Sequence, residues 1–136
     1  KRLEEQAALN ELLKNIQSSA NESVEIDSTG YKKSIDDMID AKLTDENFAL
    51  SVLADELGLS MSYLSTLFKK IYGIPFQEYI LNERLEKSKI LLLSTALKNY
   101  EIAEKVGISD PNYFSTLFRK KFGVSPNQFK RKVRGK

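Results

Sequence analysis

Residues 102–123 read IAEKVGISDPNYFSTLFRKKFG, two short helical patterns on either side of a glycine-centred turn. Gly107 stands where a helix ends in a left-handed cap, a conformation a residue without a Cβ adopts cheaply. Asp110 is an N-cap type, and Pro111 falls on the first helical position, where its missing N–H costs nothing. From there Phe114, Leu117, Phe118 and Phe122 follow at helical spacing and make one apolar face. Gly123 closes the pattern. Helix, glycine-containing turn, helix is the layout of a helix-turn-helix, whose second helix fits a DNA major groove.

The same layout occurs a second time, about 50 residues upstream. Ala54, Gly58 and Ser60 recur 49 positions later as Ala103, Gly107 and Ser109. Tyr63, Ser65, Thr66, Leu67, Phe68, Lys70 and Gly73 recur 50 later as Tyr113, Ser115, Thr116, Leu117, Phe118, Lys120 and Gly123. One residue is therefore inserted in the second turn. Two copies do not make a solenoid, so the repeat reads as a duplicated supersecondary unit. In the first copy Ser60 is the N-cap, and Leu64, Leu67, Phe68 and Ile71 form the apolar face.

Between the copies, Phe76 to Leu93 contains Tyr79, Ile80, Leu85 and Ile90 to Leu93 with no internal Pro or Gly, which predicts a single connecting helix. At 1.5 Å per residue it spans about 27 Å, close to one turn of B-DNA once the flanking turns are added. Downstream, Ser125, Pro126 and Gln128 predict a capping box opening a final basic helix. Upstream, Ile35, Met38, Ile39 and Leu43 make one apolar stripe, so a packed helix begins near Tyr31. Ser18 to Gly30 is rich in Ser, Asn, Thr and Gly and reads as a linker, while Leu3, Leu9, Leu12, Leu13 and Ile16 predict an amphipathic helix before it.

The expected fold is all-α, with two helix-turn-helix subdomains joined by a long connecting helix, about seven helices in all, preceded by an N-terminal linker helix. The boundaries are 1–30 for linker helix and Ser-rich linker, and 31–136 for the domain. Within the domain the first helix-turn-helix takes 48–72, the connecting helix 76–94, the second helix-turn-helix 99–122 and the final helix 126–134. A first residue of Lys rather than Met, already in helical register, reads as a piece of a longer protein with a sensor region upstream.

Composition narrows the chemistry. The chain has 136 residues, enough to bury a core without staples, and it has no Cys and no His. Disulfides, zinc held by thiolate or imidazole, thiol nucleophiles and imidazole acid-base catalysis are excluded. Paired acids such as Asp36 with Asp37, or Asp55 with Glu56, are adjacent on helices and face different ways, so no acid-base pair is evident and no enzyme activity is expected. No glycine-rich phosphate loop is present either, and neither a metal nor another cofactor is expected. No apolar run approaches the roughly 18 residues that span a bilayer, so direct membrane contact is not expected, and the lack of Cys fits a reducing cytoplasm.

Charge is unevenly placed. Residues 1–46 carry 6 Lys/Arg against 11 Asp/Glu, whereas residues 47–136 carry 15 against 8. Residues 112–136 hold eight basic residues and no acidic one. Such a field suits a polyanion, whose condensed counterions are released on neutralisation. On charge alone, a solvated basic tail is an equally good reading.

The residues resemble the AraC/XylS family of bacterial transcription regulators, in their DNA-binding domain. The likeness is strongest in Ile102, Ala103, Val106, Gly107, Asp110, Tyr113, Phe114, Phe118, Lys120, Phe122, Gly123, Pro126 and Phe129. Leu53, Ala54, Leu57, Ser60, Tyr63, Leu64, Phe68, Lys69 and Gly73 extend it to the first copy, and Arg84, Ser88, Leu91 and Leu92 to the joining helix. Ala49, Asn99, Phe129 and Lys130 depart from the family pattern, which leaves Asn47 and Asn99 as candidate helix caps. The resemblance implies double-stranded DNA as partner, two recognition helices in successive major grooves, and an output domain that activates transcription. It also implies RNA polymerase and an N-terminal sensor or receiver region of the same protein as further partners.

Helical phase and the resemblance agree on the outward faces. The base-contacting candidates are Met61, Ser62, Ser65 and Thr66 in the first unit and Pro111, Asn112, Ser115 and Thr116 in the second. Asn112 can pair bidentately with adenine, and Met61 or the Thr methyls can meet a thymine methyl, so an A/T-leaning site is expected, helped by DNA shape. The phosphate-contacting candidates are Ser60, Lys69, Lys70, Ser109, Arg119, Lys120, Lys121, Arg131 and Lys132. Taken singly, each of these is more often an ordinary solvated residue; recurrence of Ser65 and Thr66 as Ser115 and Thr116, and the clustering of charge beside them, favour a binding face. Phe68, Phe118, Tyr63 and Tyr113 are expected to pack inward or against the caps. The competing reading is a helical protein-interaction module that keeps the fold with weak or lost DNA binding.

Overall fold

The computed structural model describes residues 18–133, with side chains from Gly30 onward, and these form seven helices. They are α1 (Ser18–Lys42), α2 (Leu50–Leu57), α3 (Met61–Tyr72), α4 (Phe76–Ser94), α5 (Asn99–Lys105), α6 (Pro111–Phe122) and α7 (Pro126–Val133). No strand occurs among the described residues. The amphipathic helix expected over residues 1–17, and Arg134 at the end of the final helix, lie outside the described residues.

Two hydrophobic cores share one helix. The first gathers Ile35 and Ile39 of α1, Phe48, Leu53 and Ala54, the Leu64, Leu67 and Phe68 face of α3, and Phe76 and Ile80 from the start of α4. The second takes Leu85 and Leu92 from the rest of α4, with Ile102, Ala103, Val106, Ile108, Phe114 and Phe118. Phe68 and Phe118, 50 residues apart in the repeat, are each 0% exposed. Each anchors an aromatic cluster: Phe68 meets Tyr72, Phe76 and Tyr79, and Phe118 meets Phe114, Phe122 and Phe129. Ser88, buried on α4, is satisfied by donating from its hydroxyl to the Leu85 carbonyl at 2.6 Å.

The caps follow the residue types. Ser60 Oγ accepts from the Tyr63 N–H, and Asp110 Oδ1 from Asn112 and Tyr113, so both second helices open on a side-chain cap. Gly58, Gly73, Gly107 and Gly123 all have positive φ. At the last helix Ser125 Oγ accepts from Gln128 N and Gln128 Oε1 from Ser125 N, which is a reciprocal capping box.

Three local expectations change. The first helix begins at Ser18, not near Tyr31, and runs through the Ser-rich stretch. Unfavourable propensities of a few tenths of a kcal/mol per residue, and about 1 kcal/mol for Gly30, do not stop a helix whose nucleus is already fixed by packing at Ile35 and Ile39. Asn47 is not a cap: its N–H donates to Asp45 Oδ1 in a turn, and α2 opens at Ala49 with no side-chain cap. Asn99 is already inside α5, and the cap there is the Glu101 carboxylate accepting from the Lys98 N–H at 2.8 Å.

A polar contact ties α1 to the end of α3. The Tyr72 hydroxyl donates to the Asp36 carboxylate, which also pairs with Lys32 Nζ at 2.8 Å. The Lys32 ammonium, and next the Tyr72 hydroxyl, hold the Asp36 carboxyl below its usual range, while burial and then the hydrogen bond to Asp36 push the Tyr72 phenol up.

Candidate nucleic-acid interface

The side chains that leave the cores define the candidate face. On α3 the apolar stripe turns Leu64, Leu67 and Phe68 inward, and the remaining phases of the helix leave Met61, Ser62, Ser65 and Thr66 exposed. On α6 Pro111, Asn112 and Thr116 are exposed, while Ser115 is half-buried where its counterpart Ser65 is open. Met61 is 51% exposed at the first position of α3, a large apolar side chain with no place in a core. Thr66 Oγ1 bonds back to the Ser62 carbonyl at 3.3 Å, so its hydroxyl is engaged within the helix.

The phosphate candidates Ser60, Lys69, Lys70, Ser109, Arg119, Lys120, Lys121, Arg131 and Lys132 are all exposed. Lys69 and Lys70 close α3, and Arg119, Lys120 and Lys121 close α6, where positive charge also suits the helix dipole. Lys130 to Lys132 extend the basic surface along α7. Lys89 on α4 is differently placed, over the Phe122 ring at 4.4 Å and paired with Glu86 at 3.3 Å, so its charge is engaged within the fold.

Of the two placements expected for Tyr63 and Tyr113, inward or against the caps, the first does not occur: they are 36% and 54% exposed. Both sit in the first turn of their helix, where Cβ bonds lean toward the N-terminus and there is no preceding turn to cover them. The inward phase of Leu67 and Leu117, one turn further on, masks this in the sequence. Tyr113 instead lines an open cleft of about 420 Å³ between the two halves, with Glu46, Phe48, Gln77, Arg84, Ser109 and Asp110 among the other walls.

A family model described as a helix-turn-helix domain matches residues 53–132, covering both units and the helix that joins them. The chain belongs to the AraC-type helix-turn-helix family of DNA-binding domains. The C-terminal domain of the two-component response regulator yesN from Fusobacterium nucleatum subsp. nucleatum is 52% identical, with a TM-score of 0.72 over 74% of this chain and 98% of that one. The Msm operon regulatory protein of Streptococcus mutans serotype c is 40% identical over 81 residues, which are 60% of this chain and 29% of that protein. The DNA-binding domain of AdpA, solved with a target DNA, has a TM-score of 0.71 over 76% of this chain and 92% of its own, and at 19% identity the likeness is one of fold. The AraC-type chain spans less than half the length of the curated relatives it matches. Among the described residues, no helix is long and apolar enough to cross a membrane.

Proposed function

We propose that this AraC-type domain is the sequence-reading output of a bacterial transcription activator, with α3 and α6 seated in successive major grooves of one duplex. One observation carries the reading: two helices equivalent in the repeat have buried inner faces, capped N-termini and short polar side chains at matching positions of their outer faces, all exposed but the half-buried Ser115. Base edges would be read by Met61, Ser62, Ser65 and Thr66 from α3 and by Pro111, Asn112, Ser115 and Thr116 from α6. Ser60, Lys69, Lys70, Ser109, Arg119, Lys120, Lys121, Arg131 and Lys132 would hold the phosphates and set the register without specifying sequence. The partially buried Ser115 contributes less than Ser65.

The response-regulator relative supports an upstream receiver or other sensor as the source of the signal, and activation supports a contact with RNA polymerase in the cytoplasm. No chemical transformation is assigned to the domain.

The reading is tested at Asn112, the exposed side chain with the most specific hydrogen-bonding pattern on either helix. Replacing it with Ala should cost about 1–3 kcal/mol at one base position and leave the other positions unaltered. A base-by-base binding scan in which Asn112→Ala keeps the parent selectivity at every position removes Asn112 from the readout.

A further inference from the structure

The two turn glycines of the repeat share a backbone conformation and differ in what surrounds them. Gly58 has φ +69° and nothing within 4 Å of where a Cβ would stand. Gly107 has φ +93°, and a Cβ there would lie 3.0 Å from Arg84 Nε and 3.1 Å from the Thr44 carbonyl oxygen. Thr44 belongs to the turn after α1, in the first half of the molecule, and Gly107 to the turn of the second helix-turn-helix. The two halves therefore come close at a point where a side chain on residue 107 would need the Arg84 guanidinium or the Thr44 carbonyl to give by a few tenths of an ångström, in a backbone conformation that favours glycine.

Arg84 holds that point together. It lies on α4 between the parts of the helix that serve the two cores, and it donates from Nε to the Leu43 carbonyl and from Nη2 to the Asp45 carbonyl, both at 2.8 Å. Those carbonyls lie in the turn that follows α1, and the Asp45 carbonyl also accepts from the Phe48 N–H at 3.0 Å. A planar guanidinium donates to both carbonyls from two nitrogens along fixed directions, whereas the three donors of an ammonium share one nitrogen and rotate freely. Burial lowers the Arg84 pKa from its ordinary value, opposed by Asp45 and Glu46, and the group keeps its charge. The guanidinium is thus bonded to the 43–45 turn and lies against Gly107.

We infer that Arg84 is a positioning residue for DNA recognition: by clamping the 43–45 turn against Gly107 it fixes the angle and separation between the two helix-turn-helix units, and so the spacing of half-sites the domain accepts. The inference rests on tandem reading of one duplex. If both units must engage together, the second adds about 10²- to 10⁴-fold in affinity, and this is lost when geometry forbids simultaneous contact. One extra base pair rotates the second half-site by about 34° and shifts it by about 3.4 Å. A rigid clamp is intolerant of such changes, and a loosened one adapts.

Two measurements on the full chain test this. Because the chain has no cysteine, Asp55→Cys and Glu104→Cys, exposed equivalents on α2 and α5, can carry spin labels for a distance distribution without DNA. The parent should give one narrow distribution, and Arg84→Gln or Gly107→Ala a broadened or displaced one at unchanged helix content. Distributions equal in both width and mean distance in parent and variants overturn the clamp. The second arm uses a duplex selected by the parent chain from random DNA, remade with the half-site spacing changed by one to three base pairs. The parent should discriminate against the altered duplexes by about 10²-fold or more, and Arg84→Lys, which keeps the charge but not the fork, by less than about tenfold. Unchanged discrimination in Arg84→Lys overturns the inference alone. A parent indifferent to spacing overturns tandem reading and the inference with it, and the DNA-free distances separate a lost clamp from a variant that has failed to fold.

Discussion

Raising the salt from about 50 to about 200 mM should weaken binding of the AraC-type domain to its selected DNA by roughly 10³- to 10⁴-fold. Lys69, Lys70, Arg119, Lys120, Lys121, Arg131 and Lys132 are exposed at the ends of α3 and α6 and along α7. If each neutralises one phosphate, the slope of log affinity against log salt is about −6. Counterion release is entropic and depends on the number of phosphates contacted, not on the bases, so unrelated duplexes should share much of the slope and differ in intercept. Lys120→Ala should reduce the slope by about 1 and weaken binding evenly across sequences, unlike Asn112→Ala. A titration across this range showing no salt dependence would point to the protein-interaction reading of the same fold, since an apolar docking surface has no counterions to release.

Phe118→Ala should destabilise the fold by about 3–5 kcal/mol, a large fraction of what a small domain possesses. The side chain is 0% exposed and its ring lies 4.6 to 5.9 Å from those of Phe114, Phe122 and Phe129, so truncation leaves a cavity walled by stiff rings that collapse poorly. The melting temperature should fall by more than about 10 °C. Thr116→Ala, two residues earlier on the exposed side of α6, should change stability by less than about 0.5 kcal/mol while still altering DNA binding. Denaturant unfolding of the two variants separates the roles: similar losses in both would mean that the buried and exposed faces of α6 are wrongly divided.

That division was legible before any coordinates, because it depends on local rules. The i, i+3, i+4 recurrence of Leu64, Leu67 and Phe68, and of Phe114, Leu117 and Phe118, fixes helical phase, and Ser60, Asp110 and the turn glycines fix the ends. The duplication makes each copy a check on the other. What local rules missed comes from longer range. The helical course of α1 through Ser18 to Gly30 contradicts residue preference and is sustained by continuity with a packed segment. The exposure of Tyr63 and Tyr113 depends on how far each helix projects beyond its core, which periodicity does not encode. Arg84 was visible as a residue of the family pattern, but its bonds to Leu43 and Asp45 join positions 41 and 39 residues apart, and no spacing rule links them. Nor could the sequence tell Gly107 from Gly58, because the same conformation serves two different surroundings.

Sequence selection from random duplex DNA by the purified chain bears most directly on whether α3 and α6 act together. Two short motifs with centres about ten base pairs apart, enriched as a pair on the same molecules, are the expected outcome. Enrichment of one lone motif, or of two at no constant separation, would contradict simultaneous occupation of neighbouring grooves by a single rigid chain.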